Sequence, residues 1–273
     1  MREPISAISE LAHQDLKAGD IDKARAALVS HLRDAPGDAE ARMFLFQLMC
    51  VEGQWDKAHT HLRALAQVSP EAQILSIAYG QAIEAERSRA DAMAGRIDAP
   101  LLVDSDPWAQ DLVAALRADG NGQLAEGAIL RARAFDASPN ASGEVDGRAF
   151  EFIFDGDARF GPCFEAMVAG RWGLIPFCVV REISSPGPVD LRDLVWLPAE
   201  IMLLDGRTLA ALLPARYPGT EQEDEAALLL GRCTSWREQG ERVYGQGQRV
   251  WTLSDGQDVG MLSFRNLRFA ARP

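Results

Sequence analysis

A 34-residue internal repeat near the start of the chain is the sequence feature that most constrains its fold. Shifting the chain by 34 residues aligns the segment 18–36 with the segment that ends at Pro70. A period of 34 residues is typical of tetratricopeptide repeats, in which each unit is a pair of helices. The pattern therefore predicts stacked helix pairs. The matched positions are Gly19 with Gly53, Asp22 with Asp56, Lys23 with Lys57, Ala24 with Ala58, Leu28 with Leu62, and Pro36 with Pro70.

The glycines and prolines of the repeat predict where its helices end. Gly19 is expected to end the first helix of one unit, and Pro70 to close the second helix of the next. Residues 120–139 contain a third, degenerate unit, whose Pro139 lies one residue out of register. Stacked helix pairs commonly bind a peptide or a helix on their concave face. A purely structural helical layer packed on the second half is the alternative.

Residues beyond about 140 have the pattern of a β-rich domain, and the turn-rich segment 137–147 separates them from the helices. The sequence therefore predicts a two-domain α+β protein, with tetratricopeptide-like helical repeats at 1–140 and a β-rich antiparallel domain at 145–273. Asp205-Gly206 and Asp255-Gly256 predict two hairpins. The predicted strands are 149–154, 172–180, 200–204, 208–213, 249–253 and 259–264, and the predicted short helices of this domain are 163–170 and 223–231.

The charge balance narrows the classes of partner. The chain has 28 Lys and Arg against 40 Asp and Glu, a net charge of −12, and no concentrated basic stripe. Such a chain repels phosphate backbones, so we expect no nucleic-acid partner. No apolar run approaches the roughly 18 residues of a membrane-spanning helix, and the N-terminal segment lacks the pattern of a signal peptide. We therefore expect a cytoplasmic protein with no membrane partner.

The positive charges also differ in kind between the two halves. All three lysines, Lys17, Lys23 and Lys57, precede residue 140, and every positive side chain after it is an arginine. The planar guanidinium fork suits bidentate, partly buried ion pairs, so such pairs are one interpretation of the second half. A GC-rich genome that favours arginine codons is the other.

The cysteine and histidine positions argue against common catalytic and metal sites. The four cysteines, Cys50, Cys163, Cys178 and Cys233, include no CxxC pair, so buried free thiols are expected. All four histidines lie at or before position 61, which excludes a Ser-His-Asp or Cys-His mechanism confined to the second half. We therefore expect no cofactor, no metal and no enzymatic activity.

Four charged residues of the second half nevertheless keep an enzymatic alternative open. Asp155 and Asp157 can be read as metal ligands, but no Glu follows at the calcium-loop position, and a turn that caps a helix after Pro162 is favoured. Arg192 and Arg216 have the pattern of fixed polar anchors. The alternative function is an enzyme that uses these carboxylates and arginines on a small polar or phosphorylated substrate.

Several segments in a fixed order resemble the ImpE family, also called TagJ or SciE. They follow the degenerate repeat region in the order DGDARFGP, a tryptophan-containing strand that ends in PF, DLRDLVWLPAE, an Asp-Gly hairpin, PARYPGT, GRCTSW, GQGQR and SFRNLRF. The resemblance covers nearly the whole chain. It implies a non-enzymatic accessory protein of bacterial type VI secretion systems that binds the N-terminal helix of the small contractile-sheath subunit. It also implies a link to sheath recycling by a ClpV-type AAA+ unfoldase.

A helical ligand requires a hydrophobic groove for its apolar residues. The concave face of the repeats and the seam between the two halves are the two places where we expect one. Amphipathic aromatic residues favour interfaces, and most of the tryptophans lie in the second half. We therefore predict that Arg216, Tyr217 and Trp236 contact the partner. The acidic surface is expected to attract a helix with basic flanks.

Overall fold

The computed structural model describes residues 6–67, 70–239 and 242–270. The first part of the described chain is helical. Its helices are α1 (Ala7–Ala18), α2 (Ile21–Asp34), α3 (Ala39–Val51), α4 (Trp55–Ala66), α5 (Pro70–Met93), α6 (Trp108–Gly120) and α7 (Leu124–Ala137). Neighbours along the chain pack against one another as antiparallel pairs, and α6 and α7 form the third, degenerate unit. None of the helices in these ranges combines the length and hydropathy that crossing a membrane requires.

Local capping explains where the repeat helices begin and end. The Asp20 side chain accepts a hydrogen bond from the backbone N–H of Lys23 at the start of α2, and Asp38 caps α3 in the same way through Ala41. Gly19 ends α1 with a φ of 85°, a left-handed conformation that glycine adopts without steric cost. The predicted helix pairs are therefore confirmed. Pro70 has another role than predicted, since it begins α5 instead of closing α4.

The second part of the described chain is built from strands that pair antiparallel. They are β1 (Gly143–Val145), β2 (Arg148–Phe150), β3 (Ile153–Asp155), β4 (Cys163–Val168), β5 (Arg171–Pro176), β6 (Val180–Ser184), β7 (Trp196–Leu203), β8 (Thr208–Pro214), β9 (Thr234–Gln239), β10 (Arg242–Gly247), β11 (Val250–Leu253), β12 (Asp258–Gly260) and β13 (Asn266–Phe269). Eight of them form the main sheet in the order β2-β1-β13-β6-β7-β8-β4-β5. Two smaller sheets have the orders β12-β11-β3 and β10-β9.

Both predicted Asp-Gly hairpins are confirmed. Asp205-Gly206 joins β7 to β8, and Asp255-Gly256 joins β11 to β12. The run 149–154 divides between β2 and β3, which belong to different sheets, and the run 172–180 is interrupted by a 3-10 turn at Phe177–Val179. The predicted helix at 223–231 is present as the single turn α8 (Ala226–Leu229).

The predicted helix at 163–170 is wrong, because these residues form strand β4 and its turn. β4 pairs with β5 along one edge and with β8 along the other, and its residues Cys163 to Met167 are all buried, so side chains on both of its faces are covered. A strand buried on both faces has a continuous apolar run that periodicity alone does not distinguish from a helix. Ala169 and Gly170, with φ of 49° and 76°, form the tight turn into β5. No helix follows Pro162 for Asp155 and Asp157 to cap, so that prediction is also wrong.

One hydrophobic core passes through both parts of the chain. A contiguous cluster of buried side chains extends from Ala12 in α1, through α3 and α5, to Trp196 in β7 and Leu230 after α8. The loop between α5 and α6 also adds to the edge of the main sheet, where the N–H of Leu102 donates to the carbonyl of Leu174 over 3.0 Å. The helices and the sheet therefore bury much of their apolar surface against each other.

This shared core predicts cooperative unfolding. The chain is expected to melt in a single transition, and residues 6–137 expressed alone are expected to bind a hydrophobic dye such as ANS and to lose a cooperative melt, because the face that packs on the sheet becomes exposed. Circular dichroism melts of the full chain and the fragment check this. A fragment that melts cooperatively at the temperature of the full chain would show that the helices are an independent domain.

Candidate functional site

The inner face of the repeats, formed by α3 and α5, is filled by the chain's own second half. The 3-10 turn Leu191–Leu194 packs on α3, and the backbone N–H of Arg192 donates to the side chain of Gln47 over 3.3 Å. Every residue of α3 from Phe44 to Val51 is buried. Most of this face, one of the two candidate grooves of the sequence analysis, is therefore covered. A cavity of about 260 Å³ remains at its edge, between Met43 and Phe44 of α3 and the segment that contains Val189 and Leu191.

Aromatic stacking seals the same face further along α5. The Trp196 ring lies 5.7 Å from the ring of Trp55 and 5.9 Å from that of Tyr79, measured between centroids. The guanidinium of Arg192 lies 4.7 Å from the centroid of the Tyr79 ring, a cation–π arrangement. Arg192 is thus a packing residue of this internal interface.

Beneath this interface, a buried carboxylate joins the helices to the sheet. Glu165 in β4 accepts two hydrogen bonds from the fork of Arg89 in α5, over 2.7 and 2.8 Å, and a third from the indole of Trp172 over 2.8 Å. A second guanidinium, that of Arg249, pairs with the same carboxylate. Although burial opposes ionisation, Arg89 and Arg249 together lower the pKa of Glu165 to about 2. Glu165 is therefore ionised at neutral pH.

The network extends from Arg249 to the two aspartates that the sequence singled out. Arg249 also pairs with Asp155, and its guanidinium lies 4.8 Å from the centroid of the Tyr217 ring. Burial raises the pKa of Asp155 to about 7 against the opposing effect of Arg249, and the neighbouring Asp157 adds to the rise. Asp157 binds the fork of Arg159 over 2.9 and 2.6 Å and accepts a bond from the N–H of Gly245 over 2.8 Å.

Arg216 fixes the turn where the sheet meets the repeats. Its guanidinium donates to the carbonyls of Val51, at the end of α3, and Leu229, over 2.8 and 2.6 Å. Its own carbonyl accepts a bond from Arg89 over 2.9 Å. Burial lowers the pKa of Arg216 to about 10. Arg216 therefore ties together three segments that are distant in sequence.

The structure places the three predicted partner-binding residues at different depths. Arg216 and Tyr217 are 4% and 0% exposed, whereas Trp236 is 38% exposed and its ring lies 5.7 Å from that of Tyr217. A partner on the surface cannot touch the first two side chains in this conformation, because they are covered by the fold. Direct contact therefore stays a prediction for Trp236, and Arg216 and Tyr217 support the surface from beneath.

The four residues of the enzymatic alternative do not converge on one cavity. Arg192 packs on the inner face of the repeats and Arg216 on the end of α3, whereas Asp155 and Asp157 pair with Arg249 and Arg159. The raised pKa of Asp155 would suit a general acid or base. Asp155 is only 4% exposed, however, and its carboxylate bonds to Arg249 and a backbone N–H. The geometry therefore gives these residues structural roles.

Two neighbouring cavities open along the seam between the repeats and the sheet. The first, named here the seam groove, has a volume of about 280 Å³ and an apolar wall formed by Trp55, Ala90, Met93, Ala94 and Pro218. Ala90, Met93 and Ala94 are spaced i, i+3 and i+4 along α5 and therefore share one face of the helix. Pro218 directly follows the buried Arg216-Tyr217 pair, so the predicted turn does border this groove.

The second cavity, named here the acidic cleft, has a volume of about 420 Å³. It lies where the turns after α1 and α3 approach the segment between β8 and α8. Gly53 permits this approach, since a Cβ at its position would lie 2.5 Å from the Cβ of Glu221. Six carboxylates line the cleft: Asp20, Asp22, Glu52, Glu221, Glu223 and Asp224. Glu221 lines the seam groove as well, so the two cavities adjoin.

Comparison with known proteins places the chain among relatives. The ImpE protein family matches residues 147–268, and a tetratricopeptide repeat family matches residues 15–78. The chain is 37% identical over 96% of its length to the type VI secretion system accessory component TagJ of Pseudomonas aeruginosa, of which it covers 92%. The chain belongs to the ImpE family. The resemblance stated from the sequence is therefore confirmed.

A solved structure shows that this ImpE fold occurs elsewhere. The crystal structure of protein VPA1032 from Vibrio parahaemolyticus superposes with a TM-score of 0.85, over 96% of this chain and 98% of that one. Only 19% of the residues are identical, so the likeness shows the fold alone. The predicted order of helical repeats followed by a mainly antiparallel β-rich part is confirmed.

Sequence reasoning missed the residues at the centre of the buried network. Glu165, Arg249 and Arg89 were not singled out, although Glu165 interrupts the apolar segment CFEAMV and Arg249 begins the segment RVWTL. A lone charge in an apolar run is rarely buried without a partner, so Glu165 and Arg249 could each have indicated a buried ion pair. The seam cavities carried no local signal, because their walls come from segments more than 100 residues apart.

The network predicts a pH-dependent loss of stability. Glu165→Gln is expected to lower the free energy of unfolding at pH 7 by about 3–5 kcal/mol, because it leaves two buried arginines without their shared anion. The folded-state pKa of Glu165 is about 2, below its ordinary value of 4.5. Its contribution is therefore present above pH 4.5 and is lost as the pH falls through about 2. Urea unfolding across this range measures both effects.

Asp91→Asn is the matched control, because Asp91 pairs with Arg96 on the surface. Exposed pairs contribute at most about 1 kcal/mol. If Glu165→Gln lowered the free energy of unfolding no more than this control does, and if that free energy still fell with pH as it does in the parent, the network would not be the link between the helices and the sheet.

Proposed function

We propose that this chain is a non-enzymatic accessory protein of a bacterial type VI secretion system. In this proposal it binds an amphipathic helix, the N-terminal helix of the small contractile-sheath subunit, in the seam groove. The kinship with an accessory component over 96% of the chain supports the secretion role. The location in the seam is supported by the turn that covers most of the inner face of the repeats, and by Pro218, which follows the predicted Arg216-Tyr217 pair and lines the seam groove but not the cavity beside Met43 and Leu191.

The walls of the seam groove suit a helical ligand. Helices that dock in grooves insert apolar side chains at i, i+3, i+4 and i+7 between apolar walls. Ala90 and Ala94 allow close approach of a second helix, and Met93 adapts its shape to the side chain that it meets. Trp55 forms one aromatic wall, and it is stacked on Trp196 and therefore held in place.

Arg216 and Tyr217 act indirectly in this proposal. Arg216 holds the turn that carries Pro218, and the Tyr217 hydroxyl donates to the carbonyl of Val250 over 3.1 Å. Together they keep one wall of the groove in position. Trp236 is proposed as a direct contact at the surface above Tyr217, and Trp236→Ala tests that role separately from the groove.

The finer points of the function are also proposals. The cytoplasm is the expected location, because the sheath is assembled there in the family that the chain belongs to. A link to a ClpV-type unfoldase follows if the bound helix is one that the unfoldase must reach. A co-precipitation of the sheath subunits and the unfoldase with this protein, with and without competing helix peptide, tests that link.

The helix proposal predicts a groove-specific loss of binding. Ala90→Glu is expected to weaken binding of a labelled peptide from the N-terminus of the sheath subunit at least tenfold, because it places a charge where apolar residues dock. Ala90 is exposed on α5, so the substitution leaves the core intact. Fluorescence anisotropy titration against the full chain measures the change in Kd.

Ala78→Glu is the matched control, because Ala78 is exposed on the same helix and lies outside both seam cavities. It is expected to leave the Kd unchanged. Equal Kd values for the parent and Ala90→Glu, with normal binding overall, would place the helix elsewhere. Absence of binding by the parent at high micromolar concentration would refute the helix function itself.

A further inference from the structure

The acidic cleft has an excess of carboxylates over cations. Within the described ranges, its arginine partners are Arg25, which pairs with Asp22 and Glu52, and Arg237, which pairs with Glu223. Glu221 and Asp224 form no ion pair with any described residue, and Asp20 caps α2 through the N–H of Lys23. The cleft is therefore negative even after its internal pairs are counted.

Two buried acceptors in the wall of the cleft lack a donor. The Glu52 side chain is only 10% exposed, and its Oε2 atom has no hydrogen-bond partner among the described residues. The Oε1 atom of Gln54, two positions along, is likewise buried and unpaired in the part of the chain that the structure describes. An unpaired buried acceptor costs about 1–3 kcal/mol, so a donor in the cleft that met either oxygen after a side-chain rotation would remove that cost.

The chemistry of the wall selects the class of ligand. Carboxylates and an amide oxygen accept hydrogen bonds, so the ligand must donate them and carry positive charge. A bare metal ion does not fit, because no three His, Cys, Asp or Glu side chains among the described residues are grouped as a metal site requires. A lysine ammonium or an arginine guanidinium meets both conditions, and the volume of about 420 Å³ admits either side chain.

The position of the cleft links it to the seam groove. Glu221 lines both cavities, and the consecutive residues Gln54 and Trp55 line the cleft and the groove, respectively. One helix can therefore place apolar residues in the groove and a basic residue, about one turn further along, in the cleft. A helix in the reverse direction would bring its other end to the carboxylates.

We propose that the acidic cleft binds a lysine or arginine of the helix docked in the seam groove, and that this contact fixes the direction of the helix. The inference rests on the proposed function. Glu52 and Gln54 are the predicted acceptors, and Glu221 is the predicted boundary between the charged and the apolar contacts. The cleft is thus a specificity site for a basic flank.

The test is a double-mutant cycle on binding of the same labelled peptide. Each lysine of the peptide is replaced in turn by norleucine and each arginine by citrulline, which keep length and remove charge. Glu52→Gln and Asp224→Asn are the protein variants, the second lying in an exposed loop that does not affect folding of the core. At the one peptide position that enters the cleft, the peptide substitution alone is expected to weaken binding about tenfold, and so is Glu52→Gln alone. The two changes combined are expected to weaken binding by much less than a hundredfold, because both remove the same contact.

Glu84→Gln is the matched control, because Glu84 also pairs with an arginine, Arg87, but lies outside both cavities. It is expected to leave both the Kd and its salt dependence unchanged, whereas Glu52→Gln reduces the salt dependence.

The outcomes separate the two proposals. If Ala90→Glu abolishes binding but neither Glu52→Gln, Asp224→Asn nor any charge removal in the peptide changes it, the groove function stands and the cleft assignment is wrong. If the parent binds no peptide, the proposed function fails and this inference fails with it.

Discussion

The rest of the structure depends on one buried carboxylate shared by two arginines. Glu165 lies on β4, next to the edge strand β5 of the main sheet; Arg89 reaches it from the repeats, and Arg249 reaches it from the residue that precedes β11. Burying three charges costs several kcal/mol each unless their geometry is nearly ideal. The indole of Trp172 on the neighbouring strand β5 holds Glu165 from within the sheet, and the bidentate bond from Arg89 forms only when helix α5 lies in one position on the sheet. The network thus specifies how the two halves fit together, more than it adds net stability.

That fixed arrangement changes what the repeats are able to do. Helix pairs of this kind usually present an open inner face, but here the turn Leu191–Leu194 and the Trp196 ring occupy it. The packing of this face is what the alternative interpretation of the repeats, a helical layer packed on the second half, expects. The seam is created by the same docking, since its walls combine α5 with the turn that Arg216 holds. The proposed binding surface therefore combines both halves, and neither half contains it alone.

The sequence predicts the parts of this fold that local rules govern. The 34-residue period predicted the helix pairs because a repeated Ala24 and Leu28 stripe must face a neighbouring helix, and two Asp-Gly pairs predicted hairpins because their turns tolerate positive φ. The strand at 163–168 was predicted as a helix because burial on both faces removes alternation. Glu165 and Arg249 are 84 positions apart, and a single sequence carries no signal that pairs them. A single sequence likewise carries no signal for the seam between the two halves. Arg216 and Tyr217 were therefore predicted to contact the partner, although the fold buries both side chains.

The distribution of charge connects the interior to recognition. In the buried network, the four arginines Arg89, Arg159, Arg216 and Arg249 are matched in number by four carboxylates, those of Glu86, Asp155, Asp157 and Glu165, so the formal charges of the network cancel. The excess of 12 negative charges therefore belongs to the remainder of the chain, much of it at the surface. The guanidinium fork suits the bidentate pair of Arg159 with Asp157 and lets Arg249 bridge Asp155 and Glu165, which gives the all-arginine second half a physical use beyond codon preference. Many other cations are exposed, among them Arg171, Arg181 and Arg207, but among the described residues the carboxylates of the acidic cleft pair only with Arg25 and Arg237. The excess of negative charge on the whole molecule therefore favours the approach of a basic partner.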